Sequence, residues 1–317
     1  MKKISIIIPC YNDSASVPNM YKRLMNIFRD QLSQYDYDIT FCDDCSPDDG
    51  MTWEEIKRVC NADKKCRGVR NTRNFGIYRN PFAAMRYGTG DAVFMIYGDL
   101  QDPPEYLPEM IQEWESGHKV VMGVRSNQYY NLFFNIMRKA YYGIIGKLSN
   151  NRQIAGANGF GVYDASFVKI LHEIDDVQPL LTGVVTEYGS NIKLVQVKLE
   201  KGGREGRSNL NFWGKYDAAM VSITSYTKML LRLITFIGLL LGVLCILFAI
   251  VIFVLKILNW DTYPLGIPAL TVGMFFLGAV QLFFLGIISE YILSINNRSM
   301  KRPLTVVADK INFEEDE

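Results

Sequence analysis

The stretch AVFMIYGDLQDPPE, residues 92–105, decides the fold. It opens on an apolar run, Ala92 to Tyr97, with the length of a buried strand, and turns polar at Asp99. It closes on a helix start: Asp102 and Glu105 flank Pro103 and Pro104 at the spacing of an N-cap and capping-box pair. Strand, polar turn and helix in that order make half of a β-α-β unit.

The same pattern recurs on both sides. Ile4 to Pro9, Asp38 to Phe41, Gly68 to Val69 and Val120 to Val124 read as further strands with helical patterns between them. The expectation is a mostly parallel sheet with crossover helices before about residue 210. Ligands of such sheets bind beyond the carboxyl ends of the strands. Those ends carry Pro9-Cys10-Tyr11-Asn12-Asp13, Asp43-Asp44-Cys45-Ser46-Pro47-Asp48, Arg73-Asn74-Phe75-Gly76 and Asp99-Leu100-Gln101-Asp102. Any one of these suits an ordinary turn, whereas four in order mark a binding edge.

The 317 residues suffice for one α/β domain and a smaller region, and the formal charge of +1 gives no case for nucleic acid as a partner. Cys10, Cys42, Cys45, Cys60, Cys66 and Cys245 form no disulfide framework. Cys42 and Cys45 have the spacing of half a zinc site, but Cys60 and Cys66 lie too far apart for the other half. Met1-Lys2-Lys3 and the apolar run after it end at Pro9, too soon for a signal peptide.

The C-terminal third differs. No charge occurs from Leu233 to Leu255 or from Thr262 to Ser289, and each run exceeds the roughly 20 residues that span a bilayer core. A hairpin of two membrane helices is expected, at 233–256 and 264–290, with Trp260 and Tyr263 at its turn. Lys215, Lys228 and Arg232 precede the pair, and Arg298, Lys301 and Arg302 follow it, so both flanks are expected in the cytoplasm. Trp213, Tyr216, Met220, Ile223, Thr227 and Leu230 recur at helical spacing, an amphipathic helix suited to a membrane surface or to the chain's own soluble domain.

With these motifs the chain resembles the family-2 inverting glycosyltransferases of GT-A fold, in the polyprenyl-phosphate branch that includes dolichol-phosphate mannose synthase and undecaprenyl-phosphate glucosyltransferases. The resemblance covers almost the whole chain. It implies a Rossmann-like GT-A domain over 1–210, a juxtamembrane helix over 211–232, a hairpin over 233–291 and a cytoplasmic tail over 292–317. It implies a multi-pass protein of the cytoplasmic membrane that moves a sugar from a UDP- or GDP-linked donor to polyprenyl phosphate with inversion. Pro9, Tyr11, Asp13, Asp43, Asp44, Asn74, Gly76 and Asp99 would hold the donor. Asp99 and Gln101 would bind Mg²⁺ or Mn²⁺, and Arg125, Arg138, Arg204 and Ser208 the acceptor phosphate, with Asp99 and Arg125 catalytic. Assembly as a homo-oligomer is left open.

Two positions depart from the branch. Its metal motif, Asp-Ala-Asp-Leu-Gln-Asp-Pro-Pro, begins here with Tyr97-Gly98, and the Arg of its Gly-Asp-Phe-Arg element is Gly161. A catalytically silent nucleotide-sugar-binding relative therefore stands as an alternative, as does a glycosyltransferase with another membrane or polysaccharide acceptor. No Gln-x-x-Arg-Trp motif of processive polysaccharide synthases occurs.

Overall fold

A computed structural model describes residues 1–125, 154, 156–176, 179–200, 228–258, 267–300 and 302–313. The chain divides into two compact units, one α/β and one made of long helices. In the α/β unit the elements run β1 (Lys3–Cys10), α1 (Val17–Asp30), β2 (Asp36–Asp43), α2 (Met51–Ala62), β3 (Cys66–Asn71), α3 (Gly76–Met85) and β4 (Ala92–Met95). A 3-10 turn (Pro104–Tyr106) leads into α4 (Leu107–Glu115), and β5 (Val120–Arg125), β6 (Ala157–Asp164), α5 (Ala165–Glu173), α6 (Leu181–Tyr188) and β7 (Ile192–Val197) follow. The second unit holds α7 (Lys228–Leu258) and α8 (Ile267–Ser299), after which β8 (Val307–Ile311) returns to the first.

The eight strands form one sheet in the order β7-β5-β6-β4-β1-β2-β3-β8. β1, β2, β3 and β4 pair in parallel, as do β5 and β7, while β6 and β8 run antiparallel to their neighbours. Both faces are covered, which is why β1 is continuously apolar from Ile6 to Cys10 rather than alternating. Ile4, Ile6 and Ile8 face the core built with α1, α2 and α4. Ile7 faces the opposite core with Phe82 of α3, Phe167 of α5 and Val184 of α6.

The five expected strands are all present. β6 explains one departure from the family pattern. A Cβ on Gly161 would lie 2.2 Å from the carbonyl oxygen of Val121 on β5, so no arginine fits there without moving a strand. Its partner strand is as tight, since a Cβ on Gly123 would meet the Phe160 ring at 2.5 Å.

The segment 292–317, expected to be a tail, is corrected by the structure. α8 continues to Ser299, and residues 307–311 extend the sheet as an antiparallel edge strand on β3, with Gly68 opposite Ile311 and Asn71 opposite Val307. Just past it Asn312, in the left-handed region at φ 59°, donates to the carbonyls of Cys60 and Cys66 at 2.7 and 2.8 Å. Phe313 packs edge-on against Tyr87 at 5.5 Å. Ala308, Asp309 and Lys310 stay exposed, the short charged form in which a sheet edge avoids further pairing.

Two long helices occupy the region expected to hold the hairpin, with wider bounds than the charge-free runs. Among the described residues one stretch, Phe276–Asn296, is long and apolar enough to cross a membrane, and within α7 the qualifying stretch, Phe236–Cys245, is shorter. Residues 211–227 of the expected amphipathic helix and the turn at 259–266 lie outside the described residues.

Candidate active site

The carboxyl ends of β1, β2, β3 and β4 meet at one edge, and the loops after them are stitched together by side chains. Asn12, with φ 57°, turns the chain after β1 and donates its N–H to Ser46 Oγ at 2.9 Å. Ser46 in turn donates to Asp43 Oδ1 at 2.5 Å. Asp13 is buried, accepts the Tyr11 N–H on Oδ2 at 2.8 Å, and donates its own N–H to Thr52 at 2.9 Å. Asp44 spans two loops: Oδ1 accepts from Asn71 Nδ2 at 2.8 Å and Phe75 N–H at 3.0 Å, and Oδ2 from Gly76 N–H at 2.8 Å. It thereby caps the first turn of α3 from a neighbouring strand end.

Burial pushes the pKa of both Asp43 and Asp44 up, against the hydrogen bonds that favour their charged forms. Among the described residues Asp43 Oδ2 is a buried atom with no hydrogen-bond partner, and Arg70 Nε lies 3.7 Å from it. A buried acceptor left unpaired costs free energy until a donor reaches it.

The end of β4 is organised otherwise. Tyr97 is partly buried and its hydroxyl donates to the carbonyl of Asn158 at 3.0 Å, while burial raises its pKa strongly. It is thus a neutral strut between β4 and β6 where the family pattern has a carboxylate. Leu100 sits in the left-handed region at φ 56° with its side chain in the core, and that turn aims Asp99. Asp99 Oδ1 accepts the Gln101 N–H at 3.2 Å. Gly98 packs closely next to it, since a Cβ there would lie 3.0 Å from both Asp13 Oδ2 and Cys10 Sγ.

Asp102 does not cap the following helix, so the capping-box reading is overturned. It is fully buried and takes a two-point salt bridge from Arg125, Nε to Oδ1 at 3.0 Å and Nη2 to Oδ2 at 2.7 Å. Asn158 Nδ2 adds a third bond to Oδ2 at 2.8 Å. Glu105, the other half of the expected pair, instead joins Glu200 in holding Arg23. Asn158 and Asp102 are structural partners that the sequence reading did not single out for this role; Asn158 lies 56 positions from Asp102, and no spacing rule connects them.

Of the expected site residues, Pro9, Tyr11, Asp13, Asp43, Asp44, Asn74, Gly76, Asp99 and Gln101 come together at this edge, and Arg125 reaches it from β5. Arg138, Arg204 and Ser208 lie outside the described residues. Among the described residues no three His, Cys, Asp or Glu side chains form a metal cage, and this applies to the Cys42 and Cys45 pair as well.

The family model described as glycosyl transferase family 2 matches residues 5–172, which include every strand end just described. The chain belongs to glycosyl transferase family 2. Its sheet is the mixed α/β sheet of GT-A enzymes, and the protein is a glycosyltransferase. The prophage bactoprenol glucosyl transferase homolog of Escherichia coli K12 is 28% identical over 309 residues, 96% of this chain and 98% of that one. The bactoprenol glucosyl transferase of Shigella phage SfV is 28% identical over 312 residues, 97% of this chain and 99% of that one. Among solved structures, glucosyl-3-phosphoglycerate synthase from Mycobacterium tuberculosis, in complex with Mn²⁺, UDP and phosphoglyceric acid, overlaps at a TM-score of 0.48 and 14% identity, covering 70% of this chain and 78% of that one.

Proposed function

We propose that this family-2 glycosyltransferase moves glucose from a nucleoside diphosphate to a polyprenyl phosphate of the bactoprenol type, at the cytoplasmic face of the membrane. The observation that carries the reading is the match along nearly the whole chain, long helices included, to proteins named for that reaction. The donor lies over the loops after β1, β2 and β3. There the unpaired Asp43 Oδ2 is an acceptor for an N–H of the base or a hydroxyl of the ribose. Tyr11, Asp13, Asn74 and Gly76 border that position, and Asp44 fixes the loops' shape.

The acceptor needs positioning more than deprotonation. A phosphate monoester has a second pKa near 6, so its oxygen is already largely anionic at neutral pH, and no general base is required. Arg125 is committed to Asp102 and acts as a positioning residue that holds β5 against the turn carrying Asp99. Direct screening of the acceptor charge falls to Arg138, Arg204 and Ser208.

Divalent metal fits this edge in one form. Tyr97 and Asp102 are engaged elsewhere, so Asp99, with Gln101 beside it, is the carboxylate that would hold the ion. Mg²⁺ or Mn²⁺ commonly takes one or two protein carboxylates plus phosphate oxygens and water, which suits an ion arriving with the donor diphosphate. Bound there, it would neutralise charge developing on the leaving diphosphate. The hairpin topology with both flanks in the cytoplasm rests on the charge-free runs and on the basic residues on either side of them, while the apolar stretch Phe276–Asn296 supports one crossing.

The full chain reconstituted in vesicles with undecaprenyl phosphate, given UDP- and GDP-linked sugars, tests the reading. We expect a lipid-linked glucose product that requires the lipid phosphate. Transfer to a soluble uncharged sugar, or donor binding without turnover of any donor, would overturn it, the latter in favour of a silent relative.

A further inference from the structure

The face of the α/β unit where α3 begins is basic and apolar together. Thr72 donates its N–H to the carbonyl of Val306 at 2.9 Å and Asn71 stands opposite Val307, so the segment leading into β8 runs beside the turn that opens α3. Arg73, Arg79 and Arg302 meet at that place: burial first, then the charges of Arg73 and Arg302, lower the pKa of Arg79. Among the described residues none of these arginines is in a salt bridge, although carboxylates pair with Arg23, Arg67, Arg70 and Arg125 elsewhere in the fold. On the same segments Ile77 is 50% exposed and Val306 45% exposed.

Connectivity says what such a face meets. Arg302 follows Asn296, the end of the candidate membrane span found among the described residues, by six residues, a reach of no more than about 20 Å even fully extended. Arginines interleaved with exposed aliphatics are what binds an anionic leaflet, the cations drawn to lipid phosphates and the aliphatics entering the headgroup boundary. We propose that this face, formed by Arg73, Arg79, Arg302, Ile77 and Val306, docks on the anionic phospholipid surface beside the last span. The carboxyl edge of the sheet is then held toward the leaflet from which a lipid acceptor comes. This rests on the reading of the chain as membrane-anchored.

The test uses the full chain in vesicles of phosphatidylcholine, alone or mixed with phosphatidylglycerol, each with a headgroup-attached spin label as quencher. A fluorophore is placed on Val306→Cys, or for reference on Gln31→Cys, exposed past the end of α1 across the sheet, with the accessible Cys45 and Cys245 replaced by Ser. Quenching at 306 should exceed that at 31 several-fold in the anionic vesicles. Each arginine should contribute about five-fold to the docked population, so Arg79→Gln with Arg302→Gln should bring 306 down to the reference. Added salt should do the same without any substitution. Quenching at 306 that ignores lipid charge, salt and both arginines would overturn the docking. Quenching that needs undecaprenyl phosphate rather than phosphatidylglycerol would reassign the arginines to the acceptor head and overturn it too. A chain that fails to float with the vesicles would overturn the anchoring and this proposal together, whereas a floating chain with an unquenched 306 would overturn this proposal alone.

Discussion

The two halves of the strand-end site treat their acids in opposite ways. After β1 and β2, the carboxylates of Asp13, Asp43 and Asp44 are buried and accept hydrogen bonds from backbone N–H groups and small polar side chains, Asp13 and Asp43 within their own loops and Asp44 from the end of β3 and the loop after it. After β4, Asp102 is buried against a cation, and Asp99 accepts the Gln101 N–H at the turn. The first arrangement shapes a pocket and the second fixes one acid beside it. Counting acids at a sheet edge therefore overstates how many can bind a ligand, because partners and burial decide which remain available.

The comparison breaks most visibly at Asp102. Removing it leaves the Arg125 guanidinium buried without its partner, which should cost about 3–5 kcal/mol of stability. Asp102→Ala should lower the thermal midpoint of the detergent-solubilised chain sharply, and Arg125→Met in the same chain should recover much of the loss without restoring transfer. If Asp102→Ala instead melts like the wild type, Arg125 is not held by that bridge and belongs with the acceptor contacts.

A smaller effect sharpens the other half. Asp44→Ala strips acceptors from Asn71 Nδ2 and from the N–H groups of Phe75 and Gly76, and should cost about 1–3 kcal/mol. Donor affinity should fall only as far as the loops loosen. An Asp44→Ala chain of unchanged stability with donor binding abolished would make Asp44 a nucleotide contact and erase the contrast.

Much of the fold was legible because strands such as Ile4 to Pro9 are apolar runs buried on both faces, and their polar ends fall where a parallel sheet puts its ligands. Asp99 was already singled out in the sequence; how the neighbouring acids are engaged was not legible. It depends on Arg125 reaching Asp102 across 23 positions and on Gly76 reaching Asp44 across 32. β8 was missed for the same reason: its five residues carry a weak pattern, and Asn312 finds its partner Cys60 across 252 positions. Gly161 shows the reverse case. Its departure from the family's arginine was visible at once, but the cause, a strand approach that leaves no room for a Cβ, needed the neighbouring strand.

The central claim is that Asp99 is the carboxylate of the metal motif that would hold the donor's metal. Transfer by Asp99→Asn, measured with and without a chelator in vesicles holding undecaprenyl phosphate, tests it most directly. The account predicts a loss of about a thousand-fold or more with an unchanged thermal midpoint, because charge on the leaving diphosphate goes unneutralised. Wild-type turnover by Asp99→Asn with chelator present would contradict it.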